Sequence, residues 1–487
     1  MILGRDSREA APEPVSPTLD ALFRRAAAKR PDAQALIDPP NRADVTGDAP
    51  RRLSYAQADR AIAAMAAQLR ALGLQTDDLV GLQMPNTIES MLALLAIGRA
   101  GLIAVPLPLL WRRADAANAL RRLGVKALIA ATRIGATDHA ALALAIAADV
   151  FPIRHVLGFG AALSDGMIAL DEAGAGAIPA EPPSDRGEHV AVVTWDVAPD
   201  GLVPVARSHS ALIAGGIAAI RAGAIGAQAA ILTTIMSGSF AGLATSLAPW
   251  LITGGRLHLH HPFDAAMFAD QIEFDACDTL VVPGAIAAML AEVGLPARVE
   301  TMLALWRSPE RLSQVPPWRS QSCVLADIRA FGEIGLIAAR RDADGKPARS
   351  IPDGIEVKQT GSGTMALRGA MVPRHPFPPG SETLPLPALQ AAADGFVDTG
   401  HPCRRDPASD ELTVTGPPPG LVTVGGYRFA ALPLQDGVSR IDPRASIAAL
   451  PDALADHRLA GAAPDTAALH QTLEETGVNP LISGAFK

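Results

Sequence analysis

At 487 residues, 49% of them apolar and 19% charged, the chain has ample material for a buried core, and bulk disorder is excluded. A formal net charge of −8 leaves no basic footprint for nucleic acid or for an anionic membrane surface. Cys277, Cys323 and Cys403 are odd in number and far apart; they suit neither a disulfide framework nor a zinc site, and read as small apolar residues in a reducing cytoplasm.

The opening MILGRDSREAAPEP is charged and lacks an apolar segment, so it reads as a loose tail to about Ser16 rather than a signal peptide. A helix is predicted after Thr18 as N-cap, ending in a turn at Arg30–Pro31. LSYAQADRAIAAMAAQLRALGL (Leu53–Leu74) begins as a strand and continues as a long amphipathic helix that Gly73 closes. DLVGLQMPN (Asp78–Asn86) is a strand, and KALIAA (Lys126–Ala131) another.

Between them, MLALLAIGRAGLIAVPLPLL (Met91–Leu110) is the most apolar stretch. Arg99, Pro106 and Pro108 interrupt it, so it reads as a buried helix, a stop at Gly101 and a buried strand rather than a bilayer span. IPAEPPSD (Ile178–Asp185) is a loop before the strand HVAVVTW, and Arg374–Pro387 is a proline-rich surface loop. Strands alternating with helices of this length predict a parallel, doubly wound sheet. After about Gly400 the pattern changes to short strands with turns and then a short helical tail, which places a domain boundary there.

The order of these segments resembles the adenylate-forming superfamily of acyl-CoA synthetases, luciferases and peptide-synthetase adenylation domains. SGTMALRGAMV (Ser362–Val372) is similar to the family's GELxVRGPxV strand, DGFVDTG (Asp394–Gly400) to GWxxTGD, and LVTVGGYRF (Leu421–Phe429) to the DxIxxGGxxV strand beyond the hinge. The resemblance implies a large N-terminal domain (17–400) of doubly wound mixed sheets with a β-barrel-like subdomain. A hinge region (401–420) and a shortened α+β C-terminal domain (421–487) come after it. It also implies ATP, Mg²⁺ and CoA as co-substrates of a carboxylate-activating ligase.

The residues the family uses on the nucleotide are mostly replaced. Its phosphate loop, Thr-Ser-Gly-Thr-Thr-Gly followed by Pro-Lys-Gly, is here TWDVAPDGLVPVARSH (Thr194–His209). Thr194 and Gly201 remain, Asp196 and Asp200 stand among the former hydroxyls, and the basic residue present is Arg207. A carboxylate about 5 Å from a phosphate charge costs about 3 kcal/mol at an effective dielectric near 20. The adenine strand reads LWRSPERL (Leu305–Leu312), with Arg307, Ser308 and Pro309 where the family has small residues. In AFGEIG (Ala330–Gly335), Phe331 and Gly332 match the family's Tyr-Gly. Glu333 lies two positions before the metal-holding glutamate, and reads as a solvated surface residue or, after a one-turn rearrangement, as that ligand.

The ribose aspartate falls on His401, read as an exposed loop histidine or an acid/base group. The hinge Arg and Asp fall on Pro417 and Pro419, ahead of Gly425 and Gly426. The C-terminal lysine of the family falls on Ala485, leaving Lys487 as either a flexible terminal charge or a replacement that swings in. The acyl pocket is expected behind Phe331, from segments containing Phe240, Gly242, Val282 and Gly284, whose small residues also suit plain helix packing. His258 and His260 alternate on a strand, the spacing of a weak metal pair.

Six separate losses at one nucleotide predict a relative that no longer adenylates. It would hold an acyl group, acyl-CoA, or a partner such as an intact ligase or acyl carrier. The alternatives are an active acid–CoA ligase with atypical nucleotide contacts, and an enzyme using the acyl and CoA pockets for thioester transfer or hydrolysis.

Overall fold

The computed structural model describes residues 16–160, 163–170, 186–320, 322–348, 350–381, 386–408 and 410–487. The predicted loop Ile178–Asp185 and nearly all of the predicted tail lie outside them. Two mixed sheets form the centre. The first has eight strands, in the order Gly335–Arg340, Val324–Phe331, Thr301–Trp306, Thr279–Pro283, Ala230–Thr233, Arg256–Leu259, Gln34–Ile37 and Arg52–Ser54; its two edge strands are antiparallel to a parallel interior. The second has seven, in the order Gly201–Ser208, Val190–Ala198, Ile103–Pro106, Leu79–Gln83, Ala127–Ala130, His155–Gly158 and Ile168–Ala169, parallel apart from the first pair. This is the α/β architecture with a smaller C-terminal α+β unit that the sequence order implied.

Local chemistry accounts for the helices. Thr18 accepts from the Ala21 amide, and Ser54 with Gln57 forms a capping box at the start of Tyr55–Ala71. Helix Ile88–Arg99 is buried on nearly every side, as a helix apolar all round must be. Its buried Arg99 is neutralised by Asp20 and Asp59, each at 2.7 Å. Helix His209–Gly223, capped by Ser208, carries Gly215 and Gly216 where it meets Phe240, Ala244 and Ala248; a Cβ on Gly216 would lie 2.6 Å from Ala248 Cβ. That close approach seats the turn containing Phe240.

Residues 401–414, expected in the hinge region, instead carry strands: Val397–Arg405 and Leu412–Val414 complete a four-stranded sheet with Ile355–Gln359 and Thr364–Gly369. Beyond it, Leu421–Val424 and Tyr427–Ala430 pair across Gly425 and Gly426, at φ +55° and +87°. A two-residue hairpin turn with both φ positive matches the strand twist and favours glycine. The C-terminal stretch is more than the expected helical tail, because Ser446–Asp452 and Asp456–Ala462 form a second hairpin between helices Ala431–Ile441 and Thr466–Thr476. Val438, Leu469, Leu473 and Phe486 make a core of their own for this unit. No helix of the described residues is long and apolar enough to cross a membrane.

Candidate functional site

The segment resembling a phosphate loop is a closed hairpin. Val190–Ala198 pairs antiparallel with Gly201–Ser208 in the register Asp196↔Val203, Val197↔Leu202 and Ala198↔Gly201, leaving only Pro199 and Asp200 as the turn. The ladder takes up backbone groups that an open loop would turn towards an anion, and Pro199 has no N–H to offer. Asp200 is exposed at the turn, and Gly201 closes it at φ +140°.

Behind the hairpin runs a chain of buried charge. Asp196 Oδ1 accepts from the Val197 amide at 2.8 Å and faces Arg428 Nη1 at 3.4 Å, while its Oδ2 accepts from the Glu333 amide at 2.9 Å. Glu333 Oε2 accepts from the Phe240 amide at 2.7 Å and lies 3.8 Å from Arg207 Nη1. Arg207 donates to Thr194 Oγ1 at 3.3 Å, and its guanidinium carbon sits 3.9 Å from the Phe240 ring centroid. Burial pulls the Arg207 pKa down to about 10 against the pull of Glu333 and Asp196, and pushes that of Glu333 up against the pull of Arg207.

At the other end, Arg428 Nη2 lies 3.3 Å from His401 Nε2, and His401 Nδ1 is 3.0 Å from the Thr399 carbonyl. Nδ1–H donating to that carbonyl leaves Nε2 to accept from Arg428. Burial first, and Arg428 second, bring the His401 pKa down to about 3. Its imidazole should therefore show no NMR titration between about pH 5 and 8, the range of an ordinary histidine; a shift in that range would contradict this network.

A cavity of about 730 Å³ opens beside the network, between the two sheets and the C-terminal unit. Trp195, Trp306 and Leu305 supply apolar wall, Asp196, Glu333 and Arg428 the polar end. Tyr427, whose hydroxyl accepts from the Leu110 amide at 3.2 Å, and Asp456, which accepts from Ser308 Oγ at 2.9 Å and pairs with Arg311, fasten the C-terminal unit over it.

Residues 23–315 match the family model described as AMP-binding enzyme. The chain belongs to the AMP-binding enzyme family. It is 26% identical over 477 residues, 91% of this chain and 83% of the relative, to a 2-hydroxy-7-methoxy-5-methyl-1-naphthoate–CoA ligase of Streptomyces carzinostaticus. It is 33% identical over 142 residues to a salicyl-AMP ligase/salicyl-S-ArCP synthetase of Mycobacterium tuberculosis; that match covers 29% of this chain and 24% of the relative. The fold is shared with a double mutant of o-succinylbenzoate CoA synthetase from Bacillus subtilis, at TM-score 0.74 and 15% identity over 96% of this chain and 93% of that one.

Of the residues aligned with AMP-binding motifs, Asp196, Gly332, Glu333 and Ser308 line the cavity, as do Gly425, Gly426 and Gly284. Glu333 is not a solvated surface residue but is 5% exposed, because its carboxylate is needed by the Phe240 amide and Arg207. His401 is not in an exposed loop; it is 1% exposed within a strand, with the Phe331 ring edge-on at 5.2 Å. Thr194, Arg207 and Phe331 are buried behind the wall, and Asp200 and Gly201 lie outside it.

The acyl-pocket expectation is corrected for three residues: Phe240 stacks under Arg207, Gly242 lies against the Met236 carbonyl, and Val282 is in the core of the eight-stranded sheet. Pro417 and Pro419 are exposed, while Pro418 is buried against Gly400. Lys487 is exposed beside the C-terminal core and does not line the cavity. His260 is held by Gln271 at 2.6 Å and by the Asp264 amide at 3.0 Å, and His258 faces Asp275 at 3.5 Å. Tyr427, Arg428 and Arg311 fall within the quoted segments but at positions no motif specifies, and Asp456 falls in none; the tertiary fold brings them to the cavity.

Proposed function

We propose that this chain is a member of the AMP-binding family that does not adenylate, and that it holds an acyl or aryl-acyl ligand, free or as a thioester, in the cavity. The observation that carries this reading is Asp196. An internal carboxylate already accepts two backbone N–H groups and pairs with Arg428, in the segment that resembles the family's phosphate loop.

The residues present do not fit Mg·ATP. The hairpin ladder occupies the loop backbone, no lysine lines the cavity among the described residues, and the only cation paired with Asp196 there, Arg428, is already engaged by that carboxylate. Glu333, two residues before the family's metal-holding glutamate, is engaged with Arg207 and the Phe240 amide. The ligand class is supported by the two relatives, whose names specify a naphthoate and a salicyl substrate, the latter passed to a carrier protein.

Carboxylate-dependent release of pyrophosphate from ATP tests the reading. We expect none above the protein-free rate with 1-naphthoate or salicylate, with or without CoA. Release that depends on both the acid and the protein returns the chain to the active ligases with atypical nucleotide contacts.

A further inference from the structure

Apart from Glu292 at the exposed rim, the charges around the cavity pair off with one exception. Arg428 pairs with Asp196, Arg311 with Asp456, and Arg207, just behind the wall, with Glu333. Among the described residues Arg307 forms no ion pair; its one hydrogen bond is Nη2 donating to Ser239 Oγ at 2.9 Å. Its stem is fixed by the second domain, since a Cβ on Gly426 would lie 3.2 Å from Arg307 Cδ.

An arginine drawn into a cavity without an ion-pair contact of its own is costly unless something anionic joins it. Burial accordingly lowers the Arg307 pKa, with Glu333 and Asp456 pulling the other way and Arg428 adding to the fall. A second unmet group shares the wall: Trp195, 8% exposed, has an indole N–H buried without a partner.

We propose that Arg307 is the anion anchor of this cavity and that the cavity receives a small aromatic monoanion whole. The volume of about 730 Å³ lies in the range of small-molecule sites. The Trp306 ring is held rigid, with Nε1 donating to Asp327 at 2.9 Å and Gly284 so close that a Cβ would lie 2.4 Å from the indole. A fixed tryptophan face and a second indole favour a flat ring over a flexible chain. One surplus cation, with Asp196, Glu333 and Asp456 nearby, favours one negative charge over a phosphate dianion. This inference rests on the reading that no nucleotide occupies the cavity.

The test is calorimetric titration of the full chain with 1-naphthoate, its neutral isostere 1-naphthamide, and Mg·ATP, in the wild type, Arg307→Met and Arg307→Lys, with melting curves as the folding control. We expect naphthoate to bind the wild type and to bind Arg307→Met about tenfold to a hundredfold more weakly, the loss of one charge-assisted interaction. Arg307→Lys should fall between them, and naphthamide should bind the wild type no better than naphthoate binds Arg307→Met. Failure of naphthoate to bind the wild type at millimolar concentration overturns the proposal. So does binding to a folded Arg307→Met within about threefold of wild type, a difference well under one tenfold step. Tight binding of Mg·ATP alongside Arg307-dependent naphthoate binding overturns the non-adenylating reading and leaves the anchor standing.

Discussion

Arg207→Met should lose about 3–5 kcal/mol of unfolding free energy at neutral pH, the range for breaking one partner of a buried ion pair. Methionine keeps an apolar, polarisable group on the Phe240 ring, so the loss is one of charge rather than of packing. The group left behind is Glu333, buried, still accepting from the Phe240 amide but without its ion-pair partner.

The sign of the Glu333 shift sets the pH dependence. Burial already raises the Glu333 pKa above the ordinary 4.5, with Arg207 opposing that rise. A carboxyl whose folded pKa is raised binds more protons in the folded than in the unfolded chain. Stability is then greatest below the unfolded value and falls as pH rises through the window between the two. Removing Arg207 widens the window, so the variant's deficit should shrink as the solution is acidified towards that value. Adding Glu333→Gln, which keeps an acceptor for the Phe240 amide, should recover most of the loss. Denaturant unfolding of the wild type, Arg207→Met, Glu333→Gln and the double variant measures this. A deficit that is flat with pH, or unchanged in the double variant, would contradict the pairing.

Gly332→Ala should lose about 2–4 kcal/mol for two separable reasons. Gly332 lies at φ +57°, a conformation that costs an L-residue about 1 kcal/mol or more. A Cβ there would also lie 2.4 Å from Asp196 Oδ2 and 2.5 Å from Arg428 Nη1, so the bridge between the hairpin and the C-terminal unit would have to part. Gly363→Ala is the internal comparison. It shares a positive φ, +80°, but has nothing within 4 Å of the new methyl, so about 1 kcal/mol is expected. Equal losses at the two sites would show that the space beside Gly332 is not occupied as described.

The features legible in the sequence were local ones. Thr18 and Ser54 as caps, Gly73 and Gly101 as stops, and the strand–helix alternation are all set by neighbours a few residues apart. The hairpin Ser446–Ala462 escaped because its inward face is only half-buried apart from Leu459, which leaves the period-two alternation weak in the sequence. Glu333 and His401 looked solvent-exposed because their surroundings are assembled from afar: the Glu333 amide meets Asp196 across 137 residues, and Arg428 meets Asp196 across 232. Loss of the nucleotide contacts was readable residue by residue. That Asp196 is taken up by partners within the chain was not, since Arg428 carries no motif of its own.

Isothermal titration of the wild-type chain with Mg·ATP is the most direct test of whether Asp196 and the closed hairpin have replaced the nucleotide. No saturable heat is expected up to about millimolar ATP, a binding free energy no better than about −4 kcal/mol. A micromolar dissociation constant that strengthens in Asp196→Ser or Asp196→Ala would place ATP against that carboxylate in the native protein and contradict this expectation.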